Sequence, residues 1–260
     1  MMRILALVLT LLVALPASAA ELVGALSQSR VSLTANFSGT EILIFGAIRR
    51  DPFEVLSDVT TQLQPFDVVI VIEGPRQTVA VWRKERRAGI WVNVDSVTMA
   101  SVPSFYAVAT TNPLHQIITP ETDAEYRISP HQAIHREQMT GEVPDTPVFA
   151  EALLRLRERA NQYISLDRFV HLDRDILFRA SVQLPANLTE GAYTTRMYLV
   201  RDGAVVDQFR TAIFVRKEGF ERWLHQMAYD QPFLYGLMAL AVALVAGWGA
   251  SALFRFIRQG

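Results

Sequence analysis

Residues Phe233 to Phe254 make a run of 22 side chains without one charge, and no other stretch restricts the fold so tightly. As a helix rising ~1.5 Å per residue, the run is about 33 Å long and crosses a hydrocarbon core of roughly 30 Å with slight tilt. A single segment in lipid satisfies its own backbone only as an α-helix. Pro232 stands at its start, where a missing N–H costs little. Tyr235 and Trp248 suit the two interfaces, Trp248 lying rather deep for a belt residue. Behind the span lie only Arg255, Phe256, Ile257, Arg258, Gln259 and Gly260. Two arginines and no acid predict a cytoplasmic tail.

The other end of the chain predicts the same topology. Met1-Met2-Arg3 is a short cationic start, Ile4 to Leu15 is apolar or small apart from Thr10, and Pro16 breaks the run before Ser18-Ala19-Ala20. A stretch of about 12 residues is too short to remain as an anchor, and its flanks are those of a secretory signal peptide. Cleavage is expected after Ala20. The ectodomain, residues 21–231, then carries all 26 acids and 22 of the 25 basic residues, because Arg3, Arg255 and Arg258 lie outside it. A net charge of −4 gives no footprint for nucleic acid. With zero cysteines, disulfide stapling, thiol catalysis and cysteine metal sites are excluded, so the fold rests on hydrophobic cores.

Period-2 patterning fills the first half of the ectodomain. Val31, Leu33, Ala35 and Phe37 alternate with polar residues, and Ile42 to Phe45 and Val68 to Ile72 read as buried runs. Val79, Val81 and Trp82, then Ile90, Val92 and Val94, then Phe105 to Val108 complete five or six strands. Asn112 to Gly141 is polar and without period. Thr146-Pro147 opens a helix of about five turns whose apolar stripe is Phe149, Leu153, Leu156, Ala160 and Tyr163 or Ile164. Ile176 to Leu184 alternates again, and Asp202-Gly203 is a type I′ hairpin signal between two further strands. Gly191-Ala192-Tyr193 resembles the tyrosine corner of immunoglobulin-like domains. Phe220, Trp223, Leu224 and Met227 predict an interfacial helix.

The expected fold is therefore mainly β: two immunoglobulin-like β-sandwich units with an intervening amphipathic helix, plus a C-terminal transmembrane helix. The expected boundaries are a signal peptide at 1–20, an N-terminal sandwich at 21–115 and a linker with the amphipathic helix at 116–165. A second β unit follows at 166–216, then a juxtamembrane helix at 217–231, the span at 232–254 and a cytoplasmic tail at 255–260. Whether the two β units share one core is open from sequence.

Three segments together resemble a known family: ALSQSRVSLTANFSGTEILIFGAI (Ala25 to Ile48), RKERRAGIWVNVDSV (Arg83 to Val97) and VPSFYAVATTNPL (Val102 to Leu114). They are similar to alphaproteobacterial transmembrane proteins that have no assigned activity, and the signal-to-anchor layout agrees end to end. The resemblance implies a bacterial inner-membrane protein with its bulk in the periplasm. It points to a transport partner of the sulfite-exporter permease type and supplies no catalytic residues.

Four constellations carry possible chemistry. His131 and His135 stand at helical i, i+4 spacing with Glu137 close behind, two positions of a zinc or copper site that needs a third ligand from Glu137, His115 or His171. Solvated loop histidines are the plainer reading. Arg83, Lys84, Arg86 and Arg87 form a basic run suited to an anion, an acidic partner or lipid headgroups, or simply to a solvated hairpin. Asp167, Asp173 and Asp175 interleave with Arg168 and Arg174 around His171, which reads as a salt-bridged edge. Within the span, Ala239, Ala243, Gly247 and Ser251 lie four apart and form a small-residue ridge, the surface that lets another helix backbone approach.

No Gly-x-Ser-x-Gly elbow or glycine-rich phosphate loop is present. The expectation is a non-catalytic accessory or binding module without a cofactor, in contact with the bilayer and with an integral membrane partner or a second copy of itself. The alternatives are a metal- or anion-binding sensor and an enzyme whose site is assembled from distant loops.

Overall fold

The computed structural model describes residues 20–34, 37–50, 65–134, 139–140, 146–217, 224 and 227–259. The expected signal peptide (apart from Ala20) and most of the expected juxtamembrane helix lie outside the described residues. Two units are distinguished: one holds the sheets and short helices, and the other holds the C-terminal helix with its neighbouring segments.

The chain is mainly β. Its strands are β1 Ala20–Leu26, β2 Arg30–Leu33, β3 Thr40–Arg50, β4 Asp67–Glu73, β5 Arg76–Arg87, β6 Ile90–Pro103, β7 Tyr106–Thr110 and β8 Met139–Thr140, then β9 Tyr163–Leu166, β10 His171–Asp173, β11 Leu177–Leu184, β12 Gly191–Arg201 and β13 Ala204–Lys217. The helices are α1 Leu114–Ile117, α2 Pro120–Tyr126, α3 Pro130–Ala133, α4 Thr146–Arg159 and α5 Pro232–Gln259.

Strand pairing answers the question of a shared core. One sheet has the order β1-β3-β11-β10, a second β2-β13-β12-β4-β7-β9 and a third β5-β6-β8. Antiparallel β3 and β11 pair from Thr40 opposite Leu184 to Ala47 opposite Leu177, and β4 pairs with β12 from Asp67 opposite Val200 to Glu73 opposite Thr194. The segments 21–115 and 166–216 are thus interleaved in the same sheets. Between β4 and β10 the chain makes an excursion of residues 74–170, which supplies β5 to β9 and α1 to α4.

Burial follows from this layering. Val68, Val69, Ile70, Val71 and Ile72 are all fully buried, because β4 is covered on both faces. Val69 and Val71 join a cluster with Val97 and Met99 of β6, Ile128, and Phe149 and Leu153 of α4. On the other side, a Cβ at Gly24 of β1 would meet Met197 Sδ of β12 at 2.4 Å, so the first two sheets pack closely there. Burying such a side chain stabilises by roughly 1.5–3 kcal/mol, and a central strand filled on both faces concentrates that gain.

In β3 the outcome differs from the expected buried run: Ile42, Ile44 and Ile48 are buried, whereas Leu43 and Phe45 are exposed. This sheet is covered on one face only, so alternation applies even where every residue is apolar. The α4 helix is also shorter than its apolar stripe predicted. Asn161 adopts φ 53°, its N–H bonds Glu158 O at 3.0 Å, and the chain turns into β9, which takes Tyr163 and Ile164. Phe149, Ala150, Leu153 and Leu154 are the buried stripe, and Leu156 is exposed.

Where no period was visible, three short helices close the excursion over β4 and β7. Thr119 caps α2 through its side chain, which accepts from Thr122 N–H at 3.2 Å. Ile117, Ile118, Ile128, Ala133 and Ile134 enter the core singly from these turns. The Asp202-Gly203 turn forms with φ of 53° and 82°, as a type I′ hairpin requires. Thr122 Oγ1 donates to Gly203 O at 2.8 Å, which fastens α2 to the β12–β13 turn.

Candidate functional site

The helix α5 runs for 28 residues, and Pro232–Ala250 within it is long and apolar enough to cross a membrane. Phe233, Leu240, Val245 and Trp248 are exposed along it, as lipid contact requires. Ala239, Ala243 and Gly247 are exposed too, and a Cβ built on Gly247 meets nothing within 4 Å. Ser251 lies on the same helix, with its side chain outside the description. Among the described residues, the small-residue ridge is therefore uncovered.

The basic run falls on the β5–β6 hairpin. Arg87 pairs with Ile90 across a turn made by Ala88 and Gly89, whose φ angles of 49° and 86° are both positive. The cross-strand partners of Arg83, Lys84 and Arg86 are Asp95, Asn93 and Trp91. Arg83 forms an ion pair with Asp95, and its guanidinium lies 5.8 Å from the centroid of the Phe149 ring. Arg87 reaches Glu85 at 3.4 Å. Lys84 and Arg86 have no carboxylate partner among the described residues, Arg86 Nε donating to Gly89 O at 3.4 Å.

Trp82, Ile90 and Trp91 accompany these charges and are 55%, 64% and 68% exposed. In the sequence they read only as strand residues. The signal that would have singled them out is that apolar residues flank the basic run on both strands, leaving the hairpin no single inward face.

A second polar assembly binds the excursion to β12. Arg196 is 13% exposed and meets Glu73, equally buried, at 3.2 Å. Its guanidinium also donates to Tyr126 O at 3.1 Å and approaches Arg127 O at 3.4 Å and Tyr106 Oη at 3.3 Å. Arg76 closes on the same carboxylate at 2.5 Å. The Tyr106 hydroxyl lies 2.9 Å from the carbonyls of Arg127 and Ile128. Burial holds its phenol far above the usual tyrosine range, with Arg196 opposing that effect. Tyr163, whose hydroxyl donates to Pro103 O at 2.8 Å, is likewise pushed up by burial. No sequence motif marks this assembly, since its members come from β4, β5, β7 and β12.

Beside it, a cleft of about 390 Å³ is lined by His115, Asp123, Ser129, Ser165 and Asp167, among others. Both carboxylates accept from backbone N–H groups. Asp123 Oδ1 accepts from Ile128 N–H at 3.2 Å and Ser129 N–H at 2.7 Å, and Asp167 Oδ1 accepts from Thr110 Oγ1 at 3.3 Å and Leu114 N–H at 3.4 Å. They hold the helices in place, and the lining of the cleft is mainly apolar.

His131 is exposed on α3, which ends at Ala133 with Ile134 extended at φ −86° and ψ 109°. Helical spacing therefore stops before position 135, and His135 and Glu137 lie outside the described residues. Among the described residues, no three His, Asp or Glu side chains come together as a metal site. His171 opens β10 opposite Arg179, away from any such group.

Comparison with known proteins places most of the chain in one family. The family model described as "Putative transmembrane protein (Alph_Pro_TM)" matches residues 21–256. No curated protein matches. Among solved structures, the crystal structure of Spo0M, sporulation control protein, from Bacillus subtilis is similar at 8% identity and a TM-score of 0.29, over 82% of this chain and 55% of that one. The chain thus spans about half of that protein's length, and a likeness this slight carries no assignment.

Proposed function

The chain belongs to this transmembrane-protein family, and from that premise we propose that it is a non-catalytic accessory subunit whose single span recognises a multi-span membrane protein. In this reading, the signal peptide is removed after Ala20, the β ectodomain stands in the periplasm of a bacterial inner membrane, and the tail carrying Arg255 and Arg258 remains cytoplasmic. Transport is the preferred context, with a sulfite-exporter-type permease as the class of partner.

The observation that carries the reading is the open ridge of Ala239, Ala243 and Gly247, with free space at the Gly247 Cβ position. A plain tether needs only greasy residues, whereas small residues four apart permit close backbone packing in lipid. The ectodomain supports a recognition role. Taken in chain order as A to G, the strands β1, β3, β4, β10, β11, β12 and β13 stand in the spatial orders A-B-E-D and C-F-G, those of constant-type immunoglobulin sandwiches. The Tyr193 hydroxyl bonds back to Thr189 O at 2.9 Å, as a tyrosine corner does. We read the body as one immunoglobulin-like sandwich with residues 74–170 inserted between its C and D strands. Such folds host many functions, so this support is analogy.

The test is a gentle-detergent purification of the full-length protein from its native membrane beside a form lacking residues 232–260. Co-purification of one multi-span protein with the full-length form alone is the expected result. Recovery by both forms would move recognition to the ectodomain. No stoichiometric partner in either would end the accessory-subunit reading.

A further inference from the structure

The β5–β6 hairpin outruns the core that holds its base. Val81 and Val97 are the last buried residues on its two strands toward the turn. The third strand of its sheet, β8, pairs only with Thr98 and Met99. From Trp82 to Asp95 the chain is a two-stranded ribbon whose side chains are all exposed or half-exposed. Isolated ribbons of this kind are marginal in water, and exposed tryptophans do not help one fold.

Two properties of the ribbon's end select a partner. Trp91 lies opposite Arg86, and Ile90 opposite Arg87. Opposed residues share a face and successive pairs alternate, so each face of the tip carries one large apolar residue and one guanidinium. A flat protein groove would match one face. An end-on approach to an interface uses both at once, with the apolar bodies entering and the cations reaching back to phosphates. Charge points the same way: among the described residues Lys84 and Arg86 have no carboxylate partner and Arg87 meets Glu85, in an ectodomain that is otherwise acidic. Tryptophan and arginine together are the residues that sit at headgroup level.

We propose that this tip, residues 82–95, docks on an anionic lipid surface, with Ile90 and Trp91 seated among the headgroups and Lys84, Arg86 and Arg87 on lipid phosphates. The chain already resides at a membrane through α5, so a site of few charges suffices to hold a lipid-facing posture. Depth is limited. The ribbon's outer edges carry unpaired backbone groups that hydrocarbon does not accept, so the turn at Ala88 stops in the headgroup layer.

The absence of cysteine makes a single label unambiguous. The full chain bearing Ala88→Cys with a nitroxide is reconstituted into vesicles of phosphatidylcholine, alone or with one-third phosphatidylglycerol, and the label's depth is read from its accessibility to oxygen and to a polar nickel complex. The label is expected at headgroup depth in the anionic vesicles and in water in the neutral ones. The same label at Gln183→Cys, an exposed position of β11, stays aqueous in both. Each of Lys84→Gln, Arg86→Gln and Arg87→Gln lowers the docked-to-free ratio about fivefold.

The unlabelled chain supplies a second reading. Brominated phosphatidylglycerol quenches Trp248 of the span whatever the tip does, so emission is read in a Trp223→Phe, Trp248→Phe background; there Trp91→Phe removes most of the remaining quenching. A label that stays aqueous in anionic vesicles overturns the proposal, as does one equally buried in neutral ones. Protection of position 88 in native membranes alone, and never in pure lipid, assigns the tip to a protein and also overturns it.

Discussion

Replacing Arg196 with methionine keeps most of the side chain's volume and removes its charge. Glu73 then loses its partner at 3.2 Å and retains Arg76, while the carbonyls of Tyr126 and Arg127 lose a shared donor. Breaking a buried ion pair by deleting one member costs about 3–5 kcal/mol when the survivor is left alone. With Arg76 still on Glu73, the expected loss is about 2–3 kcal/mol. For a body of this size, that lowers Tm by roughly 4–12 °C.

Circular dichroism of the full chain in detergent reads the shift. Hydrogen exchange locates it, because residues 114–134 should lose protection before β1, β3 and β11 do: Arg196 ties β12 to the end of α2. Glu73→Gln in the same background should add less than it costs alone, since the pair is already broken. A loss below about 1 kcal/mol, strict additivity of the two changes, or uniform loss of protection would refute the reasoning.

Alkaline pH should unfold the body through its buried phenols. The folded-state values of Tyr106 and Tyr163 are raised by burial, so their contribution is whole below the unfolded-state value of about 10 and falls as pH rises above it. Tyr106→Phe should flatten the stability-versus-pH curve above that point while costing about 1–2 kcal/mol at neutral pH for its lost hydrogen bonds; urea titrations across the alkaline range measure both. Gly46→Ala would set a Cβ 2.2 Å from Val23 O and 2.4 Å from the Phe178 ring. Because the first contact is backbone, the substitution should cost at least about 3 kcal/mol, read by thermal unfolding. The proposed orientation predicts that a membrane-impermeant maleimide applied from the periplasmic side labels Gln183→Cys and not Gly260→Cys; the reverse pattern would invert the topology.

Legibility from sequence tracked how local each determinant is. The span was fully legible, because lipid leaves a 22-residue uncharged run no other structure. The β4 run and the Asp202-Gly203 turn were legible for similar reasons, the one as a continuous apolar stretch and the other as a dipeptide suited to two positive φ values. Interleaving was not legible. Thr40 pairs with Leu184, and nothing in either segment names its partner, so the halves read as successive units.

The short helices α1 to α3 leave no period in the sequence, because each contributes only one or two buried residues. At the site level, the basic run was visible as charge. Its projection beyond the core, with Ile90 and Trp91 on opposite faces of the tip, needed the pairing register. The Arg196 assembly is the extreme case, being built from four separated strands.

The central claim is that the anchor recognises a partner, and photo-crosslinking from within the span in living cells tests it most directly. A photoreactive residue at Ala243 probes the ridge, and one at Val245 probes the opposite side of the helix, about 200° away at 3.6 residues per turn. The account predicts one discrete adduct with a multi-span protein from position 243 and none from position 245. Lipid adducts alone, adducts with a second copy of the chain, or equal capture from both positions would contradict it.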